Sequence, residues 1–318
     1  MKRAFRLLVA GSLSAVVSVN ILAFMQARAM TRFVEDGERT ARPEQLSLIE
    51  RVSVILSGVN IPRPRSLSTP AKYKLDFQVQ RFANPNGSTL EAWYVPGIED
   101  RPVVLLFHGY AVSKSSLLTT ARVFHELGYG ALLVDFYGSG GSSGSGTTIG
   151  VKEALDVAAT VDYARRTWKD QKIVLYGISM GGAALLRAVA VNRVKPDAVI
   201  VEATFDTLLN TGKNRFRSMR LSGWPFAELL LFWGSVQSGF NFFSHNPVDY
   251  ARSVNCPALI LHGEKDERVT VEEARTIASA MGTSARFVAF SGVPHMPVVD
   301  ARPEQWRQEV EKFLEQVL

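Results

Sequence analysis

Ser179 stands in "LYGISMGGAALL", residues 175–186, and fits the pattern G-x-S-x-G directly after a strand-like apolar run. A strand that turns at once into a helix holds its pivot residue in strained backbone and draws neighbouring elements close. Glycines two positions before and two after leave that space, and the serine hydroxyl is thrust outward. The positive end of the following helix lies where an oxyanion would develop. Short motifs also arise by accident, here as a glycine-rich turn with a spectator serine, so the rest of the chain has to supply partners.

A serine nucleophile needs a base, and the base needs an orienting carboxylate. Of the five histidines, His108 and His262 each end a strand-like run just before a glycine, His125 lies in a helical stretch, and His245 lies in a long insertion. His295 follows the last strand in "SGVPHMP", a loop with neither helical nor strand periodicity. Asp266 follows another strand in "LHGEKDERV"; Glu264 and Glu267 beside it, and Glu202 at the end of its own strand, are alternative acids. The order Ser179, Asp266, His295 suits a sheet whose working residues gather past the carboxyl ends of its strands.

The elements that must position these residues are legible from Tyr73 onward. "KLDFQVQRF" and "LEAWYV" alternate with period two around the turn Asn84-Pro85-Asn86-Gly87. "PVVLLFHG", "ALLVDFYG", "KIVLYG", "AVIVEA" and "ALILHG" are continuous apolar runs, the mark of central strands covered on both faces. Helical spacing fills the intervals at 116–127, 149–168 and 180–190, and closes the chain at 302–318. The expected fold is therefore α/β, a mostly parallel sheet with helices on both faces. About fifty residues separate "AVIVEA" from "ALILHG", too many for a simple crossover, and they are rich in Phe and Trp. A helical cap insertion over about 204–250 is expected there. "GSGGSSGSG" at 138–146 lacks the spacing of a phosphate cradle and reads as a flexible loop.

Together, "FHGY" at 107–110, "GISMGG" at 177–182, "HGEKDERV" at 262–269 and "VPHMP" at 293–297 resemble, in order, the motifs of the α/β-hydrolase superfamily. The resemblance covers residues 73–318 and looks strongest to the serine aminopeptidase-like and Bem46-like bacterial serine hydrolases. It implies that Ser179 attacks an acyl carbon, that His295 shuttles the proton, and that Asp266 orients His295. It further implies an oxyanion hole made by the backbone N–H groups of Tyr110 and Met180. Pro294 replaces the glycine usual before the histidine. No cofactor and no metal are implied.

The N-terminus decides where such chemistry would act. Residues 1–29 carry Lys2, Arg3 and Arg6 ahead of an uncharged run from Leu7 to Met25, long enough to span a bilayer. Ala27-Arg28-Ala29 also fits a signal-peptidase site, so a membrane anchor and a cleaved signal segment are both expected readings, with the length of the run favouring the anchor. Either places the rest of the chain outside the cytoplasm. Residues 30–72 read as a connector with a short helix over 44–56. Residues 1–72 hold eleven Lys and Arg against five acids, so they carry the entire +6 net charge. That excess beside an apolar segment suits anionic lipid and argues against nucleic acid. The basic cluster Lys213, Arg215, Arg217 and Arg220 in the insertion is a second candidate lipid contact. The expectation is a serine hydrolase cleaving a carboxylic ester of a small-molecule acyl substrate. A peptidase or amidase of the same fold, and a non-catalytic binding protein on that fold, are the alternatives.

Overall fold

The computed structural model of the chain describes residues 2–41 and 45–318. Met1 and the start of the expected connector helix at Glu44 lie outside the described residues. In chain order the elements are α1 (Lys2–Thr31), α2 (Leu48–Ser57), β1 (Gln78–Ala83), β2 (Thr89–Val95), β3 (Val103–Phe107), α3 (Leu118–Glu126), β4 (Gly130–Val134), α4 (Glu153–Thr167), β5 (Ile173–Ile178) and α5 (Met180–Val191). There follow β6 (Ala198–Glu202), α6 (Leu208–Ser218), α7 (Phe226–Ser238), α8 (Pro247–Ala251), β7 (Ala258–Gly263), α9 (Val271–Met281), β8 (Ala285–Phe290), α10 (Val298–Ala301) and α11 (Pro303–Val317). They form two compact units, one of Met1–Pro62 with Leu208–Ser244, the other of Arg63–Thr207 with His245–Leu318.

The larger unit is built on an eight-stranded sheet in the order β1-β2-β4-β3-β5-β6-β7-β8. The β1–β2 and β2–β4 pairs are antiparallel, and every pair from β4 through β8 is parallel. The expected α/β architecture is thus observed, with the antiparallel hairpin at one edge. Successive side chains of β3 enter opposite cores, as the two-residue strand period requires. Val103, Leu105 and Phe107 join α4, α5 and α9 on one face. Val104 and Leu106 join Phe124 of α3 and Trp306, Phe313 and Leu314 of α11 on the other. All five strand residues are buried, and each large apolar side chain so covered contributes roughly 1.5–3 kcal/mol.

The glycine–serine loop after β4 is not the flexible segment its composition suggests. The Ser142 hydroxyl donates to the Asp135 carbonyl at 2.6 Å and accepts from Glu91 N–H at 2.9 Å. Thr89 and Ser143 exchange further bonds, of 2.9 and 3.0 Å. Arg63 donates to the carbonyls of Ser142 and Gly144 at 2.6 and 2.9 Å. Polar side chains and small residues here stitch the loop to β2 rather than to water.

In the smaller unit, the insertion is helical, and its helices group with the N-terminal segment. Phe24 of α1 meets Trp233 of α7 edge to face, ring centroids 5.4 Å apart. Trp233 Nε1 donates to Asn20 Oδ1 at 3.2 Å, and Gln237 Nε2 donates to the Phe24 carbonyl at 2.8 Å. Helix α2 opens on a capping box between Ser47 and Glu50. Its end is fastened by Gln26 of α1, whose amide donates to the carbonyls of Val54 and Ile55. Arg51 ties its polar side to the carbonyl of Met219 at 3.0 Å.

Candidate active site

Strand β5 delivers Ser179 at φ 53°, ψ −117°, a region that an L-residue occupies only under constraint. The flanking glycines show what the constraint is. A methyl group on Gly181 would collide with the carbonyl of Phe107 at the end of β3. One on Gly177 would lie 2.5 Å from Leu185 Cδ2 and 2.6 Å from the Gly181 backbone. The serine N–H donates to the Glu202 carbonyl on β6 at 2.7 Å, which fixes the pivot from the other side. Met180 is the first residue of the twelve-residue α5, so its N–H belongs to the positive end of that helix.

The loop after β3 runs beside the elbow. A methyl group on Gly109 would lie 3.6 Å from Ser179 Cβ, which brings the Gly109–Tyr110 backbone alongside the serine. This loop is held at both ends. Buried His108 accepts the Phe136 N–H at Nε2, at 3.2 Å, so its Nδ1 carries the proton and donates to the Gly109 carbonyl at 2.8 Å. Burial pushes this imidazole below its usual value, which keeps it neutral. At the other end, Lys114 is buried, lies 4.4 Å over the Trp93 ring, and pairs with Glu91 at 2.9 Å and with Asp135. His108 belongs to the FHGY motif, whereas no sequence motif marks Lys114, whose signal is only a polar side chain just after an apolar run.

The expected acid and base follow the later strands. Asp266 sits past β7 in a turn closed by its own N–H on the Gly263 carbonyl at 3.1 Å. Its Oδ1 accepts the N–H groups of Arg268 and Val269, both at 2.9 Å. Its Oδ2 lies 2.6 Å from Nδ1 of His295, which follows β8. Asp266 is buried, whereas Glu264 and Glu267 are exposed. His262 is also buried, with Nε2 3.0 Å from the Val269 carbonyl and 4.0 Å from Asp266, and it supports the acid's turn. His125 bonds the Pro96 carbonyl and His245 the Ile149 carbonyl, so both serve local packing. Among the described residues, the Ser179 hydroxyl forms no hydrogen bond with His295, nor is there a cluster of three His, Cys, Asp or Glu able to hold a metal.

A sequence profile described as serine aminopeptidase (S33) matches residues 98–248. Protein bem46 of Schizosaccharomyces pombe is 26% identical over 238 residues, 72% of this chain and 74% of that protein. Lysophosphatidylserine lipase ABHD12 of Rattus norvegicus is 25% identical over 206 residues, 63% of this chain but only 50% of the lipase. Among solved structures, the Pyrococcus furiosus esterase Pf2001 superposes with a TM-score of 0.69 at 22% identity, covering 81% of this chain and 97% of the esterase. The chain has the α/β-hydrolase fold, and its sequence is similar to those of serine hydrolases. In this fold the elbow after β5 and the Asp–His pair past β7 and β8 both lie along one carboxyl edge of the sheet.

Glu202, the remaining alternative acid, faces away from His295 Nδ1. Its carboxylate accepts Val298 N–H at 2.7 Å, Trp306 Nε1–H at 2.9 Å and the Tyr176 hydroxyl at 3.0 Å. Complete burial pushes the carboxyl up from an ordinary 4.5 to about 7, opposed by those three donors. Between these values the folded chain holds a proton that the unfolded chain releases. The resulting stability is complete below about 4.5 and is lost as pH rises through about 7. Burial likewise pushes Asp156 up to about 8, which adds a decline of the same sign. Urea midpoints across this range should fall with rising pH, and Glu202→Gln should flatten the part below pH 7 while leaving the Asp156 part in place.

Proposed function

We propose that this protein cleaves a carboxylic ester of an apolar acyl substrate at a membrane surface, through an acyl-enzyme on Ser179. The observation that carries the reading is the 2.6 Å Asp266–His295 hydrogen bond, beyond the same sheet edge as a serine in strained backbone. On substrate binding, His295 Nε2 accepts the hydroxyl proton as Ser179 Oγ attacks the carbonyl carbon. The oxyanion is received by the N–H groups of Met180 and Tyr110. Collapse expels the alcohol, which takes the proton from His295. Water, deprotonated by His295, then attacks the acyl carbon, releases the acid and restores Ser179. Asp266 holds Nδ1 protonated and stabilises the imidazolium in both halves. The names of an esterase and a lysophosphatidylserine lipase among its relatives support an ester, and a lipid-borne one.

Contacts within the smaller unit support a membrane location. Helix α1 contains a 21-residue apolar stretch, Gly11–Thr31, long enough to cross a bilayer. Its polar residues Asn20 and Gln26 bind other parts of the folded chain, and Ala27 of the A-x-A pattern is buried inside a continuous helix. A segment knit into the fold in this way is retained rather than cleaved. Helix α2 buries none of its residues and turns Leu48, Ile49, Val52 and Leu56 outward. Together with Trp224 and Phe232 of the insertion, these give the unit an apolar exterior suited to the acyl–headgroup boundary. In the insertion's basic cluster, Lys213 pairs with Glu228 at 3.3 Å and Arg217 donates to Asn214, so these two charges are partly satisfied within the unit.

Two measurements follow. A fluorophosphonate probe should label the wild-type chain, and Ser179→Ala should abolish labelling and lower ester turnover by about 10³-fold or more with an unchanged melting temperature. Turnover of an anilide faster than of the matching ester would favour a peptidase instead. The intact mass of membrane-purified protein should include the whole N-terminal segment, whereas a chain beginning after Ala29 would rule out the anchor.

A further inference from the structure

We infer that Glu202 is a positioning residue that fixes the loop carrying His295 to the strand edge carrying Ser179. The inference rests on the reading of Ser179 and His295 as the catalytic pair. Glu202 closes β6, between the two strands that bear the serine and the acid. Its backbone carbonyl accepts the Ser179 N–H at 2.7 Å. Its side chain reaches the other partner: Oε1 accepts the N–H of Val298, three residues past His295 and the first of α10, at 2.7 Å. Oε2 accepts from Trp306 of α11 and from Tyr176, three residues before Ser179 on β5. Thr204 reinforces the junction, its hydroxyl lying 3.2 Å from the carbonyls of both Ser179 and Glu202.

A structural hydrogen-bond hub does not need this chemistry. Glu202 is fully buried, and among the described residues no Lys, Arg or His forms an ion pair with it, so its carboxyl carries a desolvation cost that no cation offsets. Ionised, above about pH 7, its carboxylate provides two oxygens that both accept. Gln would turn one of them into a donor facing either the Val298 N–H or the Trp306 N–H. Both donors are fixed, one on the peptide and one on an indole, so neither can reverse. The loop from Gly292 to Pro297 contains no helix or strand that would set its course. Its far end is therefore located by the Glu202–Val298 bond, and its near end by the Val293 N–H on the Phe290 carbonyl at 3.4 Å. Misplacing a reacting group by about 1 Å can cost about 10²-fold in rate.

The test uses full-length protein and two variants. Glu202→Gln removes the double acceptor. Val298→Pro deletes the donor from the His295 loop at a helix-start position that proline tolerates, and it also replaces a buried valine side chain. Each variant should lower kcat for a p-nitrophenyl ester by about 10–100-fold with KM nearly unchanged, and should slow fluorophosphonate labelling by the same factor. Val298→Pro keeps the test available if Glu202→Gln does not fold. A lowered melting temperature in a folded variant with unaltered kcat and labelling rate would show a merely structural role and overturn the inference. Full ester turnover by Ser179→Ala would overturn it from beneath, and that control separates the failure of the catalytic pair from the failure of Glu202.

Discussion

A single crowded junction governs the larger unit: the point where β5 stops and α5 begins against the end of β3. The Phe107 carbonyl occupies the space that a side chain at position 181 would need, and Ser179 holds φ 53° beside it. Such a conformation costs about 1–3 kcal/mol and persists only where the surroundings impose it. Here they do so through two buried strands and the hydrogen bond from Ser179 N–H to Glu202. The strain has a geometric return, because it turns the hydroxyl out of the sheet edge toward which the β7 and β8 loops also lead. Parallel pairing from β4 to β8 sends all these loops out at the same end.

Around that junction, burial sorts the polar residues by task. Asp266 and His295 meet at the rim, the acid covered and the imidazole partly open, as the proposed proton carrier needs to be. His108, Lys114 and Glu202 lie deeper and hold backbone: the loop containing Tyr110, its far end, and the loop beyond His295. Each has its hydrogen bonds satisfied by fixed neighbours, which makes the edge rigid at the points that carry the proposed catalytic atoms.

The framework was readable from sequence because its signals are local. Continuous apolar runs such as "VVLLF" mark strands covered on both faces, and the glycines around Ser179 record a close approach that no larger residue permits. Local signals fail where partners are distant. Nothing near Asn20 announces Trp233, which is 213 positions away, and the grouping of α1 with the insertion's helices was correspondingly invisible. The loop at 138–146 looked mobile because serine and glycine usually are. Its order comes from β2 and Arg63, which no window around the loop contains. Glu202 looked like one more acid at a strand end, since sequence cannot tell a carboxylate facing His295 from one facing Val298.

The catalytic role of Ser179 requires that an acyl group pass through its hydroxyl. Mixing the protein with a p-nitrophenyl ester, quenching in acid within the first turnover and mapping the fragments by mass would read this directly. The predicted result is one acyl group, on the peptide containing Ser179, which disappears at the rate of steady-state turnover. Ester consumed with no acyl adduct at any time point, or with the adduct on another residue, would contradict it.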